Sequence, residues 1–175
     1  SKKLLELQMK KLGFKNKIKL LNSSKLEMYK LDNKTINLID VKYNPHKAFE
    51  KISTKSNIFI KKSFELAFQI IKKQKIHKFI NGPISKKKFL KNKFLGITEY
   101  ISKMFFTKKT CMLIYNKNLS VCPVTTHLPL KLIPKKINKK NILEKILLID
   151  SFYKKKFNIK PRIAILGLNP HCESI

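Results

Sequence analysis

Two long stretches of helical periodicity, set among short apolar runs, limit what this chain can fold into. From residue 57 to about 75, Ile60, Phe64, Ala67, Phe68 and Ile71 recur at three- and four-residue steps, the spacing of a helix that packs one face on a neighbour. A second face, built from Ile142, Ile146, Ile149 and Tyr153 with Leu143 and Leu147 beside them, runs to about Phe157, and Asn138 stands where an N-cap belongs. A shorter amphipathic helix is predicted over 2–12 from Leu4, Leu5, Leu7, Met9 and Leu12, closed by Gly13. Between these lie β-prone runs at 18–21, 26–29, 36–41, 78–81, 110–115, 119–124 and 162–166, bounded by Asn, Ser, Asp, Gly or Pro. Helices alternating with strands predict an α/β fold with a mixed, mostly parallel sheet and flanking helices.

Two of these runs end alike. Val124-Thr125-Thr126-His127-Leu128-Pro129-Leu130 and Ile163-Ala164-Ile165-Leu166-Gly167-Leu168-Asn169-Pro170-His171-Cys172-Glu173 each present a histidine beside a proline. Open α/β sheets place ligands just beyond strand ends, so the pair suggests one shared site. Neutral imidazole is the commonest metal ligand, and a catalytic divalent site usually takes three protein ligands with one position open. His127 and His171 are therefore expected to supply two ligands, with a third not yet located. Either histidine alone reads more readily as a rim residue bonded to backbone, and it is the pair that shifts the balance. His46 follows Pro45 in a loop without a ligand-spaced partner, and His77 sits at a helix end; neither is given a role.

Asn81-Gly82-Pro83-Ile84-Ser85-Lys86 reads as a brief strand entering a tight turn, with Ser85 opening the next helix. Free N–H groups there, with Lys86 nearby, suit an anion such as phosphate; a plain strand-to-helix connection fits as well. Gly96-Ile97-Thr98-Glu99 precedes a helix predicted through about Phe106, with Thr98 as candidate cap and Glu99 in the first turn. The runs at 110–115 and 119–124, joined by Asn116-Lys117-Asn118, predict a β-hairpin ending at Thr125 and His127. None of the four glycines belongs to a GxGxxG or Walker pattern, so neither a conventional Rossmann fingerprint nor a P-loop is supported.

The 175 residues and 43% hydrophobic content suit one sizeable core. A chain that opens on Ser1 and stops four residues after His171 reads as a piece of a longer one. The formal charge of +30 would ordinarily point to nucleic acid or an anionic surface. Here it is almost wholly lysine scattered along the chain, and Arg162 is the only arginine. Arginine is the residue favoured for bidentate phosphate and base contacts, so a solvated lysine-rich surface is expected rather than a nucleic-acid interface. Cys111, Cys122 and Cys172 lack CxxC spacing, which fits a reduced, cytoplasmic setting. Cys111 and Cys122 are expected as small core residues, and Cys172 as a neighbour of a metal rather than a ligand. No run approaches the roughly 20 apolar residues of a membrane-crossing helix, and no signal peptide opens the chain.

Four motifs together carry a family resemblance. Thr125-Thr126-His127-Leu128-Pro129-Leu130, Gly167-Leu168-Asn169-Pro170-His171, Asn81-Gly82-Pro83-Ile84-Ser85-Lys86 and Gly96-Ile97-Thr98-Glu99 occur in the order and approximate spacing of the 4-hydroxythreonine-4-phosphate dehydrogenases of vitamin B6 synthesis. The chain resembles a single incomplete α/β segment of such an enzyme, motif-bearing over 57–175 and weakly matched over 1–56. The resemblance implies a fold akin to the isocitrate and isopropylmalate dehydrogenases, which bind NAD without the GxGxxG fingerprint. It also implies oxidation of 4-phosphooxy-L-threonine to 2-amino-3-oxo-4-phosphooxybutanoate, then decarboxylation, on the way to pyridoxal 5′-phosphate. NAD or NADP would be the oxidant, assisted by a divalent metal such as zinc, magnesium or cobalt. His127 and His171 would be metal ligands and Thr98 a substrate contact. The metal site would be shared across a homodimer, with the third histidine and much of the cofactor site further toward the C-terminus. The family typically has histidine where this chain has Ile97. That departure keeps two alternatives in view: a dehydrogenase of another phosphorylated hydroxy acid, or a non-catalytic remnant or basic polyanion-binding module.

Overall fold

The computed structural model describes residues 1–168 apart from Asn92 and Lys108. Its contacts divide the chain into two compact units, residues 1–92 and 93–175. Helices combine with a small parallel sheet, an α/β architecture.

In the first unit, helix α1 (Lys2–Leu12) begins under the Ser1 side chain and ends at Gly13, whose φ of 78° is the left-handed conformation glycine adopts without a Cβ penalty. Strand β1 (Ile18–Leu20) pairs in parallel with β2 (Ile36–Leu38), Ile18 opposite Ile36 and Leu20 opposite Leu38. Parallel neighbours need a crossover rather than a hairpin. The crossover contains the 3₁₀ turn Ser23–Met28, which corrects the expectation of a strand over 26–29. Asn22 explains the difference: its side chain accepts the Ser24 N–H at 2.9 Å, while its own N–H donates to the Tyr29 hydroxyl at 3.2 Å. Local side-chain bonds of this kind compete with strand pairing.

Helix α1 is tied to the segment after β2. Ser1 Oγ donates to the Tyr43 carbonyl at 2.9 Å, the Lys2 N–H to Asp40 Oδ1 at 2.7 Å, and Gln8 Nε2 to the Ala48 carbonyl at 3.1 Å. Helix α2 (Thr54–Lys73) starts three residues before the predicted 57, because Ser53 and Ser56 form a reciprocal capping box. Its Phe64 and Phe68 are buried, as is Leu90 from the single helical turn Lys86–Leu90. The Phe64 ring lies 5.6 Å from those of Phe68 and Phe89 and 6.0 Å from that of Phe79. The strand predicted at 78–81 is not formed, and Ile80 is 95% exposed. An apolar run becomes a strand only when another backbone takes its ladder bonds, and none does so among the described residues.

In the second unit, helix α3 (Ile97–Met104) is capped by Gly96 and buries Tyr100, whose ring meets Phe94 edge-on at 5.4 Å. The helix stops short of the predicted Phe106, which takes φ 53°. The hairpin forms where expected, narrowed to one antiparallel bridge: Ile114 and Val121 exchange N–H···O bonds of 2.8 and 3.0 Å. Helix α4 (Lys139–Phe157) opens at the expected Asn138, whose side chain accepts the Asn141 N–H at 2.9 Å. Tyr115 of the hairpin stacks on Phe157 at 5.4 Å, and Lys145 Nζ donates to the Thr110 carbonyl. The broad apolar face expected on α4 is used only in part, since Leu143 and Leu147 are exposed. The strand predicted over 162–166 is likewise not formed; Leu166 is 88% exposed and the run finds no ladder among the described residues.

Candidate functional site

The second unit gathers Gly96, Glu99 and His127. The hairpin delivers the chain to Thr125 and Thr126, both half-buried, and then to an exposed His127. His127 sits at φ 56°, a left-handed backbone that most side chains resist by about 1–2 kcal/mol. Strain of this kind clusters where a side chain must be aimed. Pro129 follows two residues later and leads into the 3₁₀ turn Leu130–Leu132.

Facing it is the start of α3. Gly96 is buried, and a Cβ placed on it would stand 2.8 Å from Glu99 Oε2 and 3.6 Å from both Nε2 and Cδ2 of His127. The missing side chain leaves a space that the carboxylate and the imidazole edge both border. Glu99 Oε2 is buried and has no hydrogen-bond partner among the described residues. A buried, unpaired carboxylate oxygen is unfavourable unless something positive or protic meets it.

Thr98 lies half-buried in the first turn of α3, beside Ile97. It is not the cap, contrary to expectation. Gly96 holds that position without a side-chain bond, so the helix begins two residues earlier than the Thr98 hydroxyl suggested. His171 and Cys172 lie outside the described residues, as do Asn169 and Pro170. In the first unit, Ser85 opens only one turn, its Oγ accepting the Lys88 N–H at 3.4 Å. One turn aligns too few peptide dipoles to provide the helix-terminal field expected there.

Imidazole nitrogen and carboxylate oxygen are donors that suit a borderline divalent cation. Among the described residues, no group of three His, Cys, Asp or Glu side chains converges. Glu99 and His127 offer two donor atoms of the kind a divalent cation takes, fewer than the three protein ligands of a catalytic site. Sequence reasoning gave Glu99 only a helix-terminal role. The overlooked signal was its register: a glutamate three positions after the cap residue reaches back over that cap, which here is a glycine.

With this geometry in place, the chain can be set beside known proteins. The profile described as "Pyridoxal phosphate biosynthetic protein PdxA" matches residues 1–174, and the chain belongs to that family. It is similar to the 4-hydroxythreonine-4-phosphate dehydrogenase of Sulfurihydrogenibium sp. (strain YO3AOP1), 35% identical over 174 residues that cover 98% of this chain and 52% of that protein. The Aquifex aeolicus (strain VF5) protein of the same name is 40% identical over 98 residues, 55% of this chain and 31% of that protein. Among solved structures, the 4-hydroxythreonine-4-phosphate dehydrogenase from Klebsiella pneumoniae aligns with a TM-score of 0.78 at 20% identity, covering 98% of this chain and 52% of that one. A Salmonella typhimurium structure aligns at 0.79 and 21% identity, over 96% of this chain and 53% of its own. The family inferred from the four motifs is therefore the family found, and the match extends into the residues before 57 that carried no motif. The chain spans about half the length of the Sulfurihydrogenibium relative and of both structures.

Proposed function

We propose that this chain is a segment of an NAD-dependent, divalent-metal-assisted dehydrogenase that oxidises 4-phosphooxy-L-threonine to 2-amino-3-oxo-4-phosphooxybutanoate, which then decarboxylates, in pyridoxal 5′-phosphate biosynthesis. The observation that carries this reading is that His127 and a Glu99 oxygen without a hydrogen-bond partner among the described residues both border the space over Gly96 in a chain of this family. In it, His127 and His171 hold the ion, zinc, magnesium or cobalt, in a site completed across a homodimer. The whole would adopt an isocitrate/isopropylmalate dehydrogenase-like fold and work in the cytoplasm.

A divalent ion so held supplies charge stabilisation for the substrate oxygen, while NAD or NADP supplies the hydride acceptor. The chain's own residues orient and select. His127 is aimed by its left-handed backbone, and Thr98 offers a hydroxyl to the substrate from the start of α3. The half-buried Ile97 offers that substrate no hydrogen bond. A substrate group that finds a hydrocarbon where it needs a donor loses about 1–3 kcal/mol of interaction if buried. This single residue favours a second reading, a related dehydrogenase whose phosphorylated hydroxy acid makes no demand at position 97.

The test is NAD reduction by the full-length protein with 4-phosphooxy-L-threonine and added divalent metal. Turnover that disappears in His127→Ala is expected. A folded, metal-loaded protein inert toward this substrate but active on another phosphorylated hydroxy acid would establish the second reading instead.

A further inference from the structure

We propose that Cys111 and Cys122 are a reversible modification site, a dithiol that a small-molecule disulfide oxidises to a bond fastening the hairpin that leads to His127.

The register of the hairpin brings the two together. Ile114 and Val121 are its bridged pair, so residue 113 stands opposite 122 and residue 111 opposite 124. Side chains alternate between the two faces of a strand. Cys111 and Cys122 therefore share one face, diagonal to each other, and Ile114 and Val121 take the other. Burial agrees: Cys111, Leu113, Cys122 and Val124 are half-buried, while Ile114 and Val121 are exposed. Diagonal neighbours stand about 7–8 Å apart along the backbone, and here the side chains close the gap, for the two thiols lie within hydrogen-bond reach of each other. A disulfide draws its α-carbons to about 4.4–6.8 Å. The strands can make that adjustment, because no backbone hydrogen bond joins 111–113 to 122–124 among the described residues. Pro123, which has no N–H to give, sits in that stretch.

The surroundings suit thiol exchange. Both cysteines are free and neither is sealed from a small reagent. Lys145 Nζ donates to the Thr110 carbonyl beside Cys111. Its charge favours the Cys122 thiolate, against burial and then the Cys111 charge, which oppose it. A cation beside a partly exposed sulfur marks reactive rather than inert cysteines. Glutathione disulfide serves as the oxidant. The Cys111 thiolate attacks one of its sulfurs and expels a glutathione thiolate. Cys122 keeps its proton against that neighbouring charge and reacts second: it gives the proton to water, attacks the Cys111 sulfur of the mixed disulfide and expels the other glutathione. The two protein thiols have then lost two protons and two electrons, and one glutathione disulfide has become two glutathione thiols. Excess reduced glutathione reverses the exchange.

The experiment equilibrates the full-length protein in glutathione buffers of rising oxidised fraction, blocks free thiols, digests without reduction and maps the products by mass. The expected product is a peptide pair joined through Cys111 and Cys122, lighter by the hydrogens lost and restored by dithiothreitol. In Cys122→Ser no second thiol can resolve the adduct, so Cys111 is expected to hold glutathione as a stable mixed disulfide that wild type does not accumulate. Amide exchange at Ile114 and Val121 is expected to slow by about tenfold or more in the oxidised protein, since the bond closes the loop that carries them. Separate glutathione adducts on both cysteines of wild type, a bond from either one to Cys172, or thiols untouched at the most oxidising ratio would overturn the proposal. Exchange at the two amides unchanged by the bond would overturn it as well.

Discussion

Tyr153 donates its hydroxyl to Ser120 Oγ at 2.8 Å, fastening helix α4 to the hairpin that leads to His127. Ser120 is fully used at this junction. Its oxygen also accepts the Asn116 N–H at 3.2 Å, and its hydroxyl donates to the Asn116 carbonyl at 3.0 Å. Tyr153→Phe removes one bond and keeps the ring against Phe157. It should lower stability by about 1 kcal/mol in urea unfolding and speed amide exchange at Ile114 and Val121. Unchanged exchange at those two amides would show that the hairpin does not depend on this bond to α4.

Phe64→Ala strikes the best-buried cluster of the first unit and should destabilise it by about 3–5 kcal/mol, seen as a lower urea midpoint. Ile80→Ser, in the apolar run that forms no strand, should change stability by no more than about 0.5 kcal/mol. A large loss at Ile80 would mean that this run is paired after all.

Tyr43 donates its hydroxyl to Glu50 Oε2 at 3.0 Å, and the bond pulls the two ionisations apart. Bonds from the His46 N–H, the Tyr43 hydroxyl and the Lys47 N–H hold the Glu50 carboxyl below its usual range. Burial, then the Glu50 bond and charge, push the Tyr43 hydroxyl up. Because its folded value is depressed, Glu50 supports the 43–50 segment above its unfolded value and ceases to as pH falls through the folded one. Tyr43, with a raised folded value, supports it below its unfolded value and ceases to as pH rises through the folded one. Carbon-detected NMR titration should find Glu50 ionising at higher pH in Tyr43→Phe than in wild type; no movement would remove the hydroxyl as a cause.

Burial first, and the neighbouring Cys111 thiol second, push the Cys122 thiol up. The thiolate is the reactive form, so at neutral pH Cys122 should alkylate with iodoacetamide more slowly than an exposed cysteine. Cys111→Ser should speed it. Mass-resolved labelling rates decide the point, and equal rates in the two proteins would separate the thiols.

Elements specified by local chemistry were legible in the sequence. The Gly13 stop, the Asn138 cap and the hairpin around Asn116-Lys117-Asn118 each rest on residues a few positions apart. The run at 26–29 was misread because Asn22, outside it, diverts the backbone into a crossover. The runs at 78–81 and 162–166 failed for another reason: being a strand is a property of two backbones, and apolar composition names only one. At the site, the strand-end position of His127 was visible, but its left-handed backbone was not. Glu99 was visible too, yet its value depends on what Gly96 lacks, and an absent side chain shows its meaning only once its neighbours are placed.

The division near residue 92 also has a consequence in time. Compact units fold as they leave the ribosome, where chains emerge at about 5–20 residues per second. The first unit, with its parallel pair, its capping box and its phenylalanine cluster all encoded before that boundary, has a head start of about 2–7 seconds at that pace before His127 is translated. Helix–coil and hairpin steps take microseconds. The first unit can thus begin to settle its own core before the second is complete, and the histidine, glutamate and glycine of the site all belong to that later instalment of the chain.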